Sequence, residues 1–182
     1  MMKPLVYVTR KLPDEIVNPL TEIAFVRMWD QEDIPVTRDV LLSETKEATA
    51  ILTMLTERID EELLDSCSQL QIVANMAVGY DNINVEYARK KQIIVTNTPD
   101  VLTDTTADLT FALLMATARR LLEASDCIKR DEWKTWSPFF LAGTDVHHKT
   151  IGIVGMGRIG EAVARRAKGF DMNILYHNRS RK

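Results

Sequence analysis

Short runs of apolar, β-branched and aromatic residues recur along the first half of the chain, and polar segments with helical periodicity separate them. Pro4-Leu5-Val6-Tyr7-Val8-Thr9, Ala24–Met28, Ala50–Leu55, Leu70–Asn75 and Ile93–Asn97 read as five strands. Leu12-Pro13-Asp14-Glu15 opens a helix, with proline early and acids at the positive end. Further helices are predicted from Thr37 to about Ser43, over Asp60–Asp65, and over Val85–Lys91. Strand and helix therefore alternate. Several strands are continuously apolar, the mark of a parallel sheet covered on both faces, so the fold class is α/β. No solenoid-type repeat is present.

Pro99-Asp100 breaks this run. Thr105 and Asp108 have capping-box spacing, with Asp in place of the usual Glu or Gln. One long helix is expected over 106–130. Its apolar residues wrap much of its surface, which calls for a second covering surface, either another domain or another subunit. Trp133 through Phe140 reads as loop, and Thr150–Val154 as a new strand.

Gly155-Met156-Gly157-Arg158-Ile159-Gly160 fits G-x-G-x-x-G. The motif alone is weak, but here a strand precedes it. The helical segment Glu161–Lys168 follows, then Gly169 in a C′ role, then the strand Asn173–His177. In such a βαβ unit Gly155 permits the tight turn, Gly157 lets backbone approach a pyrophosphate, and Gly160 lets helix and strand pack closely. The amides of Arg158 and Ile159 then face phosphate from the positive helix end. The plain alternative is a strand–helix turn that merely uses glycine.

An acid about 20 residues on usually holds the ribose 2′-hydroxyl of NAD. Here the strand end reads His177-Asn178-Arg179-Ser180-Arg181-Lys182, with no acid. Asn178 stands where the acid would be, and Arg179, Ser180, Arg181 and Lys182 can all donate to a 2′-phosphate, so NADP is the preferred cofactor and NAD a possible one. The competing reading is a solvated basic chain end.

Composition narrows the rest. The chain has 182 residues, 46% hydrophobic and 27% charged, which excludes low-complexity disorder. A net charge of −3 lacks the basic footprint of a nucleic-acid binder. Cys67 and Cys127 have no Cys or His partner at ligand spacing, so neither a disulfide scaffold nor a zinc ribbon is expected, and reduced, cytoplasmic thiols are the default. The first apolar stretch, Leu5–Val8, is too short for a signal segment, and no run approaches a membrane span. Adjacent His147 and His148 point different ways along an extended chain, and no metal site is assigned to them.

Four blocks, in order, resemble the D-isomer-specific 2-hydroxyacid dehydrogenase family, nearest to its glyoxylate/hydroxypyruvate reductase branch. They are Asn75-Met76-Ala77-Val78-Gly79-Tyr80-Asp81-Asn82-Ile83, the stretch Thr96–Asp108, Trp133-Lys134-Thr135-Trp136, and Thr150–Gly160 continued by Arg165-Arg166. The resemblance spans essentially the whole chain. It implies a flavodoxin-like substrate domain over 1–99 and an incomplete Rossmann coenzyme domain over 100–182. It places the backbone of Val78 and Gly79 at a substrate carboxylate, where turn amides form an anion nest, and Leu55 beside the substrate. Thr105 would lie near the nicotinamide. The expected substrate is a small 2-oxo or 2-hydroxy acid. A homodimer is expected through helix 106–130 and the Trp133–Phe140 segment, with Trp133 and Trp136 walling the partner's site or packing in the dimer core.

The family's chemistry also uses an Arg, a Glu and a His that come after the second Rossmann strand. The sequence given stops at Lys182, and none of His147, His148 and His177 matches that histidine. No catalytic residue is therefore assigned, and the chain reads as a truncated product expected to be inactive alone. Alternatives are a non-catalytic dinucleotide-binding or dimerisation module, or a defective gene product.

Overall fold

The computed structural model describes residues 3–182. Its elements run β1 (Leu5–Val8), α1 (Asp14–Ile23), β2 (Phe25–Met28), α2 (Arg38–Thr45), β3 (Ala50–Thr53), α3 (Glu61–Ser66), β4 (Ile72–Asn75), α4 (Val85–Lys90), β5 (Ile94–Thr96), α5 (Thr103–Ala118), α6 (Leu121–Lys129), β6 (Thr150–Val154), α7 (Arg158–Lys168) and β7 (Asn173–His177). Two compact units divide between Pro99 and Asp100.

In the first unit every strand pairing is parallel and the order is β2-β1-β3-β4-β5. This is the flavodoxin-like order, whose ligand crevice lies at the carboxyl ends of the strands. The expected α/β class is therefore observed. β1 and β3 carry no exposed residue. The outer strands do not share the expected two-sided burial: Phe25 is 62% exposed on β2 and Ile94 is 58% exposed on β5. They are edges, covered on fewer sides than the centre. The main core packs Tyr7, Leu41, Ile51, Ile59, Leu63 and Val73. Asp60 caps α3 by accepting from the Leu63 N–H at 3.2 Å, and Asn84 caps α4 by accepting from Tyr87 at 3.0 Å.

In the second unit β6 and β7 pair in parallel, from Thr150 opposite Asn173 to Val154 opposite His177. One face of the pair, with Ile151, Ile153 and Ile174, packs on α5 and α7 around Ala107, Phe111 and Ala162. The other face is open, with Val154 88% exposed. The strands therefore alternate rather than being buried on both sides. The Phe111 ring lies 5.0 Å from that of Phe170. Phe111→Ala should lower stability by about 3 kcal/mol, seen as an earlier denaturant midpoint of this unit.

Three expectations for this unit need correction. The helix expected over 106–130 is two helices, broken at Arg120, which is left-handed with φ 54°. The cause lies downstream. The Ala118 carbonyl, which a continuous helix would give to the Leu122 N–H, accepts instead from the Thr144 N–H at 2.8 Å. Gly143 makes room for this approach, since a Cβ there would strike the Ala118 oxygen. The capping box at Thr105 and Asp108 is also absent. α5 begins at Thr103, so both residues are inside the helix, and the Asp108 carboxylate accepts from Arg166 Nε at 2.6 Å. Finally, Gly169 is right-handed at φ −66°. The left-handed residue is Asp171 at φ 53°, and the added turn carries Phe170 onto Phe111.

Candidate functional site

The carboxyl ends of β1, β3, β4 and β5 gather Thr9, Arg10, Met54–Glu57, Asn75–Gly79 and Asn97. After β4 the chain turns through Ala77, Val78 and Gly79, and all three carbonyls are engaged. The Ala77 oxygen accepts from the Thr98 N–H at 2.9 Å, the Val78 oxygen from Asn97 Nδ2 at 2.8 Å, and the Gly79 oxygen from Asn75 Nδ2 at 2.8 Å. Among the described residues no acceptor takes the Val78 or Gly79 N–H. A turn with its oxygens drawn inward and its amides free is an anion-binding nest. Leu55 is 60% exposed, and its Cδ2 lies 3.9 Å from where a Gly79 Cβ would stand. Val78 and Gly79, expected at a substrate carboxylate, and Leu55, expected beside the substrate, thus lie close together.

Beneath this turn lies a buried carboxylate that the sequence reading missed. Glu57 is 3% exposed. Its Oε2 accepts from Thr9 at 2.8 Å, Thr53 at 3.1 Å and the Met54 N–H at 2.8 Å. Its Oε1 accepts from Thr56 at 2.5 Å and faces Arg10 Nη2 at 3.3 Å. Burial acts to push this carboxyl up. The hydrogen bonds from Thr56, Met54, Thr9 and Thr53 outweigh burial and hold it below the ordinary carboxylate range. Asn82 Nδ2 donates to the carbonyls of Met54 at 3.0 Å and Glu57 at 2.9 Å. The loop bearing Leu55 is therefore fixed from both sides. A Thr-Glu-Arg run looks like solvated surface in sequence, and only the strand placement reveals its burial.

In the second unit the Gly155–Gly160 turn joins β6 to α7. Gly155 has φ +96°, a conformation that side chains disfavour. A Cβ on Gly160 would fall against the Gly155 carbonyl oxygen and 3.3 Å from Ile153 Cγ2, so helix and turn meet closely there. A Cβ on Gly157 would meet nothing within 4 Å. Gly155 makes the turn and Gly160 the close packing read from the motif, and Gly157 faces open space. The first helical backbone bond of α7 runs from the Glu161 N–H to the Gly157 oxygen at 2.8 Å, and among the described residues the Arg158 and Ile159 amides have no acceptor. Open space at Gly157, with unpaired amides at a positive helix end, fits a diphosphate.

At the end of β7, Asn178 Nδ2 donates to the Ser180 carbonyl at 3.1 Å, while Arg179 and Arg181 are exposed. Lys182 Nζ lies 3.3 Å from Glu161 Oε1. That cation is therefore partly spoken for. Arg158 Nε pairs with Asp100 Oδ1 at 2.9 Å. Thr105 is exposed on the first turn of α5. Among the described residues no cluster of three or more His, Cys, Asp or Glu side chains could hold a metal ion.

A family model described as D-isomer specific 2-hydroxyacid dehydrogenase, catalytic domain, matches residues 6–162. The chain belongs to this family. Over its full length it is 52% identical to the glyoxylate reductase of Pyrococcus horikoshii and 54% identical to that of Thermococcus kodakarensis, covering 55% of each. The chain thus spans about half the length of the curated relatives it matches. A crystal structure of a Thermus thermophilus protein superposes with TM-score 0.89 at 40% identity, covering 98% of this chain and 57% of that one. The structure of an NADPH-dependent glyoxylate/hydroxypyruvate reductase from Sinorhizobium meliloti, in complex with citrate, superposes with TM-score 0.78 at 32% identity, covering 99% and 56%. Among the described residues of the chain, no helix is long and apolar enough to cross a membrane.

Proposed function

We propose that the protein serves the reduction of a small 2-oxo acid, of the glyoxylate or hydroxypyruvate type, by hydride from a nicotinamide dinucleotide. The observation that carries this reading is the Gly155–Gly160 turn, with open space at Gly157 and free amides at Arg158 and Ile159. The family membership and the relatives' glyoxylate reductase names support it. The backbone around Gly155, Gly157, Arg158, Ile159 and Gly160 would hold the diphosphate, and the bound nicotinamide supplies the hydride. Thr105 would stand on the nicotinamide side. The Val78 and Gly79 amides would bind the substrate carboxylate, and Leu55 would shield it from water. These residues bind and orient. No proton donor is assigned among residues 1–182, so the chain alone is expected to bind without turnover. A homodimer through α5, α6 and the Trp133–Phe140 segment belongs to the same reading, since Leu122 and Trp136 are each 76% exposed.

The cofactor would be NADP. A carboxylate at the end of β7 would repel a 2′-phosphate, and here Asn178, Arg179, Ser180 and Arg181 stand in its place. Equilibrium titrations with NADPH and NADH test this. NADPH is expected to bind about tenfold more tightly, and the paired variant Arg179→Glu, Arg181→Glu should erase the difference. Equal affinities in the unaltered chain would contradict the NADP assignment. Absence of binding to either would contradict the whole reading.

A further inference from the structure

We infer that Asn97 is a positioning residue that sets the Gly79 amide for a carboxylate, with Asn75 fixing the next peptide of the turn and Asn82 tying that turn to the loop bearing Leu55. The inference rests on the carboxylate role proposed above and names what aims that amide. A peptide unit can rotate so that either its oxygen or its N–H faces the solvent side. Asn97 Nδ2 holds the Val78 oxygen at 2.8 Å and so turns outward the Gly79 N–H of the same peptide, while Asn75 Nδ2 holds the Gly79 oxygen at 2.8 Å and so fixes the peptide that carries the Tyr80 N–H. With the Ala77 oxygen also bound by the Thr98 N–H, no carbonyl of the turn is left to face an anion.

The orientation of each amide group follows from its partners. Asn82 Nδ2 faces two carbonyls, those of Met54 and Glu57, so Asn82 Oδ1 is directed toward Asn75. Asn75 therefore meets two acceptors, the Gly79 oxygen and Asn82 Oδ1 at 3.2 Å. Only its Nδ2 can serve both. Asn75 is 2% exposed, and its Oδ1 is buried with no hydrogen-bond partner. A buried acceptor left unpaired is unfavourable, yet the residue keeps this orientation because both donor bonds require it. The chain of contacts then runs from the Gly79 carbonyl through Asn75 and Asn82 to Met54 and Glu57, beside Leu55. A shift of the carboxylate turn would have to break these bonds or move that loop with it.

The test uses the 182-residue chain, isotope-labelled, with sodium oxalate as an unreactive two-carbon carboxylate. Amide shifts of Val78 and Gly79 are followed in the unaltered chain, in Asn75→Ala and in Asn97→Asp. Asn97 is only half-buried, so its variant keeps the fold if Asn75→Ala does not. The Asp side chain matches Asn in shape but, ionised, cannot donate to the Val78 oxygen. In the unaltered chain, saturable shifts at both amides are expected. In folded variants the affinity should fall about tenfold or more, with shifts elsewhere in the unit unchanged. Undiminished oxalate affinity in folded Asn97→Asp would overturn the inference. If oxalate leaves the unaltered chain unmoved, the carboxylate reading itself fails. The positioning claim is then decided without ligand, by the order of the Gly79 amide. Lower order in Asn97→Asp supports it, and equal order overturns it.

Discussion

Gly160→Ala is expected to cost the second unit about 3 kcal/mol and to abolish dinucleotide binding. The added methyl would lie against the Gly155 carbonyl oxygen, which is backbone, and close to Ile153 Cγ2. No flexible side-chain end is available to move aside. Gly155 is itself held at φ +96°, and its N–H donates to the His177 oxygen at 2.9 Å, so the turn cannot retreat without loosening the β6–β7 pair. Gly160 is buried at the helix start, so the helix must lift instead, taking Ala162 and Val163 from the core they share with Phe111. Gly157→Ala is the control that separates stability from binding. Its Cβ meets nothing within 4 Å and its φ of −87° suits any residue. Thermal stability should change by no more than about 0.5 kcal/mol, while the methyl would occupy the space proposed for the diphosphate. Dinucleotide affinity should therefore fall in both variants, but stability in Gly160→Ala alone. Equal stability of Gly160→Ala and the unaltered chain would contradict the close approach of helix and turn.

Glu57→Gln is expected to destabilise the first unit by about 2–3 kcal/mol at neutral pH. The carboxylate, with its side chain 1% exposed, is an acceptor at both oxygens. Thr9, Thr53, Thr56, the Met54 N–H and Arg10 all direct donors at it. A Gln amide group would set an NH2 against those donors. The same geometry makes the unit sensitive to acid. The folded carboxyl titrates below its ordinary value of 4.5. As pH falls, the unfolded chain takes up this proton first. The stabilisation is therefore complete above the ordinary value and is lost as pH drops through it toward the lower folded value. Denaturant midpoints measured between pH 7 and pH 3 should fall for the unaltered chain. They should fall less steeply for Glu57→Gln, which has no such proton to take up. Parallel curves would show that Glu57 does not carry this part of the acid response.

What the sequence revealed and what it hid follow one physical division. The turn at Gly155 and the close packing at Gly160 were legible because they are local, set by the motif together with the strand before it and the helix after it. The five strands of the first unit were legible as apolar runs bounded by polar residues, though β2 and β5 are exposed edges rather than buried strands. The break at Arg120 was hidden because its cause is remote. Helix propensity favours continuing through Ala118, and the competing donor is Thr144, admitted by Gly143. Thr105 and Asp108 misled because a cap pattern is also compatible with a helix interior, and here Asp108 serves Arg166 across to α7. Asn75, Asn82 and Asn97 stood within or beside the family blocks, yet their roles were not readable. Asn82 and Asn97 reach carbonyls of other segments, fixed only once β3, β4 and β5 lie side by side, and Asn75 serves a turn whose shape depends on them. Glu57 was hidden most fully, since charge in a polar stretch predicts exposure and burial came from Thr9, brought in by β1.

Isotope-labelled chain titrated with NADPH tests most directly whether the turn after Val154 is a diphosphate cradle. Saturable amide shifts are expected at Gly155, Gly157, Arg158, Ile159 and Gly160, with weaker ones at Asn178–Arg181, and Gly157→Ala should suppress them. Unchanged signals across 155–160 at saturating NADPH, or shifts confined to residues outside the second unit, would contradict the account.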